Sequence, residues 1–133
     1  MNLKVVNKKV YVVSDIHNDA DRFKLLLEKI DFAEDDILIL AGDIFDRGNR
    51  PIELYFEILK HPNIQMIQGN HDVWLAREIM EKYAGEKVGE YISYNTLSIM
   101  EQRMTAVDLL NLARWIKKSL IISILILRGE NTR

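Results

Sequence analysis

Residues 10–15 (VYVVSD), 36–42 (DILILAG) and 64–69 (IQMIQG) are short, apolar and bounded by polar or glycine residues, the signature of buried strands. Each is followed by a segment with helical periodicity. In "DADRFKLLLEKIDF", Phe23, Leu26, Leu27 and Ile30 fall at i, i+3, i+4 and i+7 and predict one apolar helix face, with Asn18 or Asp19 as N-cap. "RPIELYFEILKHP" carries Pro51 in its first turn and stops before Pro62, and "DVWLAREIMEKY" supplies a third helix. Residues 98–118 restore helical spacing, with Ser98 and Glu101 placed as a capping box. This alternation predicts an α/β fold of order βαβαβα, its parallel strands flanked by helices. In such a sheet, functional side chains gather beyond the carboxyl ends of the strands.

Three loops leave those ends, and they read "SDIHND", "GDIFDRGNR" and "GNHD". Asp15 and His17 alternate on an extended segment, so a carboxylate oxygen and an imidazole nitrogen can meet one cation. Gly42 beside Asp43 permits close backbone approach. Asn70 and His71 add an amide oxygen and a second imidazole. Oxygen and nitrogen donors without sulfur suit manganese, iron or zinc. Taken singly, each loop is also explained as an ordinary turn rich in Gly, Asp and Asn. Three such loops on one edge of one sheet point instead to a shared metal site. Asp72 is expected to cap its helix with Trp74 and Leu75 packing beneath, Asp19 and Asp21 to face the helix dipole, and "EDD" at 34–36 to be a solvated loop.

The totals narrow the field. The 133 residues suffice for one domain. Eighteen basic against twenty acidic side chains give a net charge of −2, which argues against nucleic-acid binding through a broad basic field. Cysteine is absent, so thiolate metal sites and disulfides are excluded. The N-terminal segment has no signal-peptide pattern, and "LIISILIL" at 120–127 is too short to span a bilayer. The expected location is cytoplasmic, with no membrane partner. A nucleotide-binding domain of the glycine-loop type is disfavoured because no Gly-rich loop follows the first strand.

"SDIH", "GDIFDRG" and "GNHD" together resemble the motifs of calcineurin-like metallophosphoesterases, and Arg47 narrows the resemblance to the phosphoprotein phosphatase branch, which includes bacterial serine/threonine phosphatases and symmetrical diadenosine tetraphosphatases. The resemblance covers roughly residues 8 to 118. It implies the N-terminal half of a metallophosphoesterase sandwich, with two divalent ions, manganese first and iron or zinc next. It implies that Asp15 and His17 bind one metal, that Asp43 bridges both and that Asn70 binds the second. Arg47 would grip phosphate with Asn70 and His71 beside it, and His71, held by Asp46, would protonate the leaving group. Two ions about 3.5–4 Å apart would clamp the phosphoryl group and lower the pKa of a bound water from 15.7 towards about 7. The implied substrate is a phosphoprotein or a dinucleoside polyphosphate.

The chain departs from that pattern in its second half. A complete family member carries further histidines on later strands, whereas this chain has His17, His61 and His71 alone. His61 sits beside Pro62 and suits a helix C-terminal role. Residues 1–118 therefore read as an incomplete metallophosphoesterase N-terminal domain. Residues 119–133 read as an atypical tail from truncation or frameshift, with 120–127 as a strand lacking a partner. Weak binding of the second ion and little turnover are expected. The alternative is a non-catalytic remnant or a metal- or phosphate-binding module.

Overall fold

The computed structural model describes residues 9–131, with side chains described from Lys9 to Ser119. In chain order the elements are β1 (Val10–Val13), α1 (Ala20–Lys29), β2 (Ile37–Ala41), α2 (Pro51–Leu59), β3 (Ile64–Ile67), α3 (Asn70–Ala84), α4 (Thr96–Met100) and α5 (Ala106–Asn131). The strands form one parallel sheet in the order β1-β2-β3. This is the α/β architecture that the alternating pattern predicts.

Register explains the core. Tyr11 pairs with Leu38 and Val13 with Leu40, while Leu38 and Leu40 pair in turn with Ile64 and Met66. Alternate residues share a face, so these six side chains line one side of the sheet. Leu38, Leu40, Ile64 and Met66 are buried there, with Phe23 and Leu27 of α1, Leu54 and Ile58 of α2, and Leu112 and Ile116 of α5 in the same cluster. The opposite face is different: Val10 and Val12 are 58% and 65% exposed.

Helix ends follow local chemistry. Asp19 caps α1 by accepting from Arg22 N at 3.0 Å, leaving Asn18 free for another task. Pro51 opens α2, as expected, and Gly85 closes α3 in the left-handed conformation at φ 64°. His61 ends beside α2 with Nε2 3.6 Å from Glu57.

Three expectations are corrected. The helix anticipated over 98–118 is two: α4 stops at Met100, and α5 begins after a capping box in which Thr105 Oγ1 accepts from Asp108 N while Asp108 accepts from Thr105 N. That reciprocal pair outcompetes Ser98 with Glu101 as a helix start; Ser98 bonds back to Asn95 O instead. Asp36 is buried rather than solvated, accepting from Ala33 N at 2.9 Å. Residues 120–127, read as a strand, fall within the span of α5, because helical spacing continues from Leu109, Leu112 and Ile116; their side chains lie outside the described ones.

The contrast between the two sheet faces is measurable. Leu40→Ala, at a fully buried position in the central strand, should lower the unfolding free energy by about 2–5 kcal/mol. Val12→Ala on the exposed face should change it by less than about 0.5 kcal/mol. Urea titration of the two variants checks the pair, and equal losses would refute this assignment of the faces.

Candidate functional site

The three loops beyond the strands meet through backbone first. Asp15 N donates to Gly42 O at 3.2 Å, His17 N to Asp43 O at 3.3 Å and Asn18 N to Ile44 O at 3.0 Å, so the first loop runs alongside the second. The third closes against both. Gly69 packs so tightly on Asp43 that a Cβ there would overlap its backbone nitrogen and carboxylate, and a Cβ on Gly48 would overlap His17 O. Only glycine allows either approach.

Two side chains lock this arrangement. Asn18 is fully buried; its amide donates to Gly48 O and to Thr96 Oγ1, and its oxygen accepts from Asp46 N at 3.1 Å. Asp72, also fully buried, accepts from Ile44 N, Phe45 N and Gly69 N at 3.0–3.1 Å. It caps its helix as expected, and also ties the second loop to the third. Burial pushes the Asp72 carboxyl up to about 6 although those three N–H groups favour its ionised form.

The backbone of these loops is held where side chains rarely go. Asp15, His17, Asn18, Asp43, Asp46 and Arg47 all have positive φ, between 47° and 81°. Asn and Asp tolerate that region through local hydrogen bonding; Arg47, at 76°, has no such relief. Strain of this kind clusters where a fold presents groups for a task.

The expected ligands and catalytic groups are distributed unevenly. His17 Nε2 lies 3.5 Å from Asp15 Oδ1, whose other oxygen accepts from Ser14. The His17 and His71 rings meet edge to face at 5.8 Å. Asp46 Oδ2 lies 3.4 Å from His71 Nδ1. Burial raises the pKa of Asp46, opposed by its contacts with Thr96 and His71. Arg47 and Asn70 are exposed. His17 Nδ1, Asp43 Oδ1 and His71 Nδ1 are buried with no hydrogen-bond partner. Unpaired buried donors and acceptors are costly, and a hard or borderline dication beside Asp43 and His17 would relieve two of them. Beyond that nucleus the donor set is sparse: among the described residues, no group of three or more His, Asp or Glu side chains is placed to hold a metal ion.

Three contributors escape the motif reading. Asn18 reads in the sequence as an alternative to Asp19 for the N-cap, Thr96 gives no local sign of reaching a loop 78 residues away, and Tyr94 packs on His71 with a centroid separation of 5.1 Å and its ring tilted by 37°. Trp74, expected to pack beneath Asp72, stands half-buried against the same imidazole at 5.2 Å, whereas Leu75 takes the core position.

The calcineurin-like phosphoesterase profile matches residues 8–132, and the chain belongs to that family. Its relatives include proteins named symmetrical bis(5'-nucleosyl)-tetraphosphatase. That of Buchnera aphidicola subsp. Baizongia pistaciae is 33% identical over 110 residues, covering 81% of this chain and 36% of the relative. That of the Schizaphis graminum subspecies is 32% identical over 118 residues, covering 86% and 40%. That of Neisseria gonorrhoeae strain NCCP11945 is 39% identical over 67 residues, covering 49% and 24%. The chain thus spans about 36–40% of the length of the two Buchnera proteins. No helix among the described residues is long and apolar enough to cross a membrane.

Replacing Asp72 by Ala strands three N–H groups and should cost roughly 2–4 kcal/mol near pH 4. The folded pKa of about 6 exceeds the ordinary 3.8, so the contribution of Asp72 is complete below the unfolded value and shrinks as pH rises through the folded one. The stability gap between wild type and Asp72→Ala should therefore be larger at pH 4 than at pH 7 by urea titration. A gap that widens with pH would refute it.

Proposed function

We propose that this chain carries the phosphate-hydrolysing half-site of a calcineurin-like phosphoesterase, with a dinucleoside polyphosphate as the substrate class. The observation that carries the reading is the convergence of His17, Asp43, Asp46 and His71 on one sheet edge, with His17 Nδ1 and Asp43 Oδ1 buried and unpaired. The relatives' name favours the dinucleoside substrate over a phosphoprotein.

In this reading Asp43 and His17 hold a divalent ion, manganese first, and Asp15 and Asn70 complete what the chain offers to one or two such ions. A dication there supplies Lewis acidity at the phosphoryl oxygens and lowers the pKa of water towards neutrality. Arg47, exposed at the rim, clamps two phosphoryl oxygens with its planar fork. Water adds to phosphorus as the bond to the leaving oxygen breaks; the water's proton passes to solvent, and protonated His71 delivers a proton to the leaving oxygen and is reprotonated from solvent. Asp46, 3.4 Å from Nδ1, steadies the imidazolium and orients the ring.

With its sparse donor set, the chain alone should turn over slowly. Manganese-supplemented cleavage of diadenosine tetraphosphate should be weak in wild type and fall to background in Asp43→Asn and His71→Ala, a loss of about 10²-fold or more where it can be resolved. A phosphoserine peptide should be cleaved more slowly still. Calorimetric titration with manganese should register one ion per chain or fewer, removed by Asp43→Asn and by His17→Ala. Unchanged cleavage and unchanged manganese binding in those variants would refute the reading.

A further inference from the structure

Trp74 and Tyr94 are misplaced for core residues. Neither belongs to the hydrophobic cluster or to the half-buried side chains packed against it, whereas Trp115 does. Both pack on His71 instead, at centroid distances of 5.2 and 5.1 Å, and on one another at 6.4 Å with their planes 30° apart. Trp74 follows His71 by three residues on α3, which puts the two on one helix face. Tyr94 comes from the segment just before α4 and is 38% exposed. Two large rings thus stand beside the imidazole without sealing the core.

Trp74 also reaches away from His71. It lines an open cavity of about 550 Å³ together with Gly89, Tyr91 and Ile92. Glu81 and Glu90 lie on the same wall, and Tyr91 is fixed there by a 2.9 Å hydrogen bond to Glu81. Carboxylates repel phosphate but accept hydrogen bonds from amino groups and hydroxyls. Aromatic surface next to a carboxylate-lined cavity therefore suits a nucleobase and its sugar, while the phosphate end stays with Arg47 and His71.

We propose that Trp74 and Tyr94 form a base-stacking platform that takes the nucleobase of a nucleotide-bearing phosphate substrate beside His71. The proposal rests on the phosphate-hydrolysing reading of the three loops and adds what selects the substrate. Stacking is tolerant of base identity because every base has a π-face, so the platform accepts adenine and guanine alike and gives no such contact to a phosphoserine side chain.

The test compares adenosine triphosphate with inorganic tripolyphosphate, which shares the phosphate chain and lacks the nucleoside, by calorimetry in excess manganese. Wild type should bind the nucleotide about fivefold or more tighter than tripolyphosphate. Trp74→Leu should erase that preference and leave tripolyphosphate affinity unchanged, and Trp74→Phe should restore most of it. Tyr94→Leu should weaken the preference in the same direction. Equal affinities in wild type, or a Trp74→Leu variant that loses both ligands together, would overturn the platform while the phosphate site stands. Binding of neither ligand by wild type would overturn the platform and the phosphate reading at once.

Discussion

The Asp72 carboxylate, buried at the start of α3, accepts hydrogen bonds from Ile44 N and Phe45 N in the second loop and from Gly69 N in the third. Those bonds hold Asp43, Asp46 and Arg47 in register with Asn70 and His71. Asn18 does the corresponding work between the first loop and the second. Both side chains are fully buried. Without them, six residues with left-handed backbone would relax towards commoner conformations, and the side chains they present would scatter.

The same crowding sets the electrostatics. Asp43, Asp46 and Asp72 lie close enough that Asp43 raises the pKa of Asp72, with burial the larger cause. Two imidazoles 5.8 Å apart sit among them. Excess negative charge in a partly desolvated corner favours a cation at its centre.

The strand positions and the three loops were legible because period-2 and period-3.6 patterns alternate cleanly from Val10 to Tyr83 and because turn residues follow each strand. Membership of the phosphoesterase family was legible in "GDIFDRG" flanked by the other two motifs. What escaped depends on distance in sequence. Thr96 reaches Asn18 across 78 residues, and nothing local to either position marks the bond. Trp74 reads as core from its spacing, since a half-exposed aromatic on a helix gives the same periodic signal as a buried one. Asp36 reads as solvated because it sits in an acidic run, yet Ala33 N and Lys9 N draw it inward. Helix α5 was displaced because Thr105 with Asp108 makes a better reciprocal cap than Ser98 with Glu101.

The exposed valines of β1 bear on how the protein behaves in a test tube. Parallel sheets ordinarily carry apolar side chains on both sides, and Val10 and Val12 keep that character while more than half exposed. A net charge of −2 lies at the low end of what keeps copies of a small domain apart. Sulfate salts strengthen the burial of such apolar surface and cooling weakens it, so association through these valines is favoured by the first and opposed by the second.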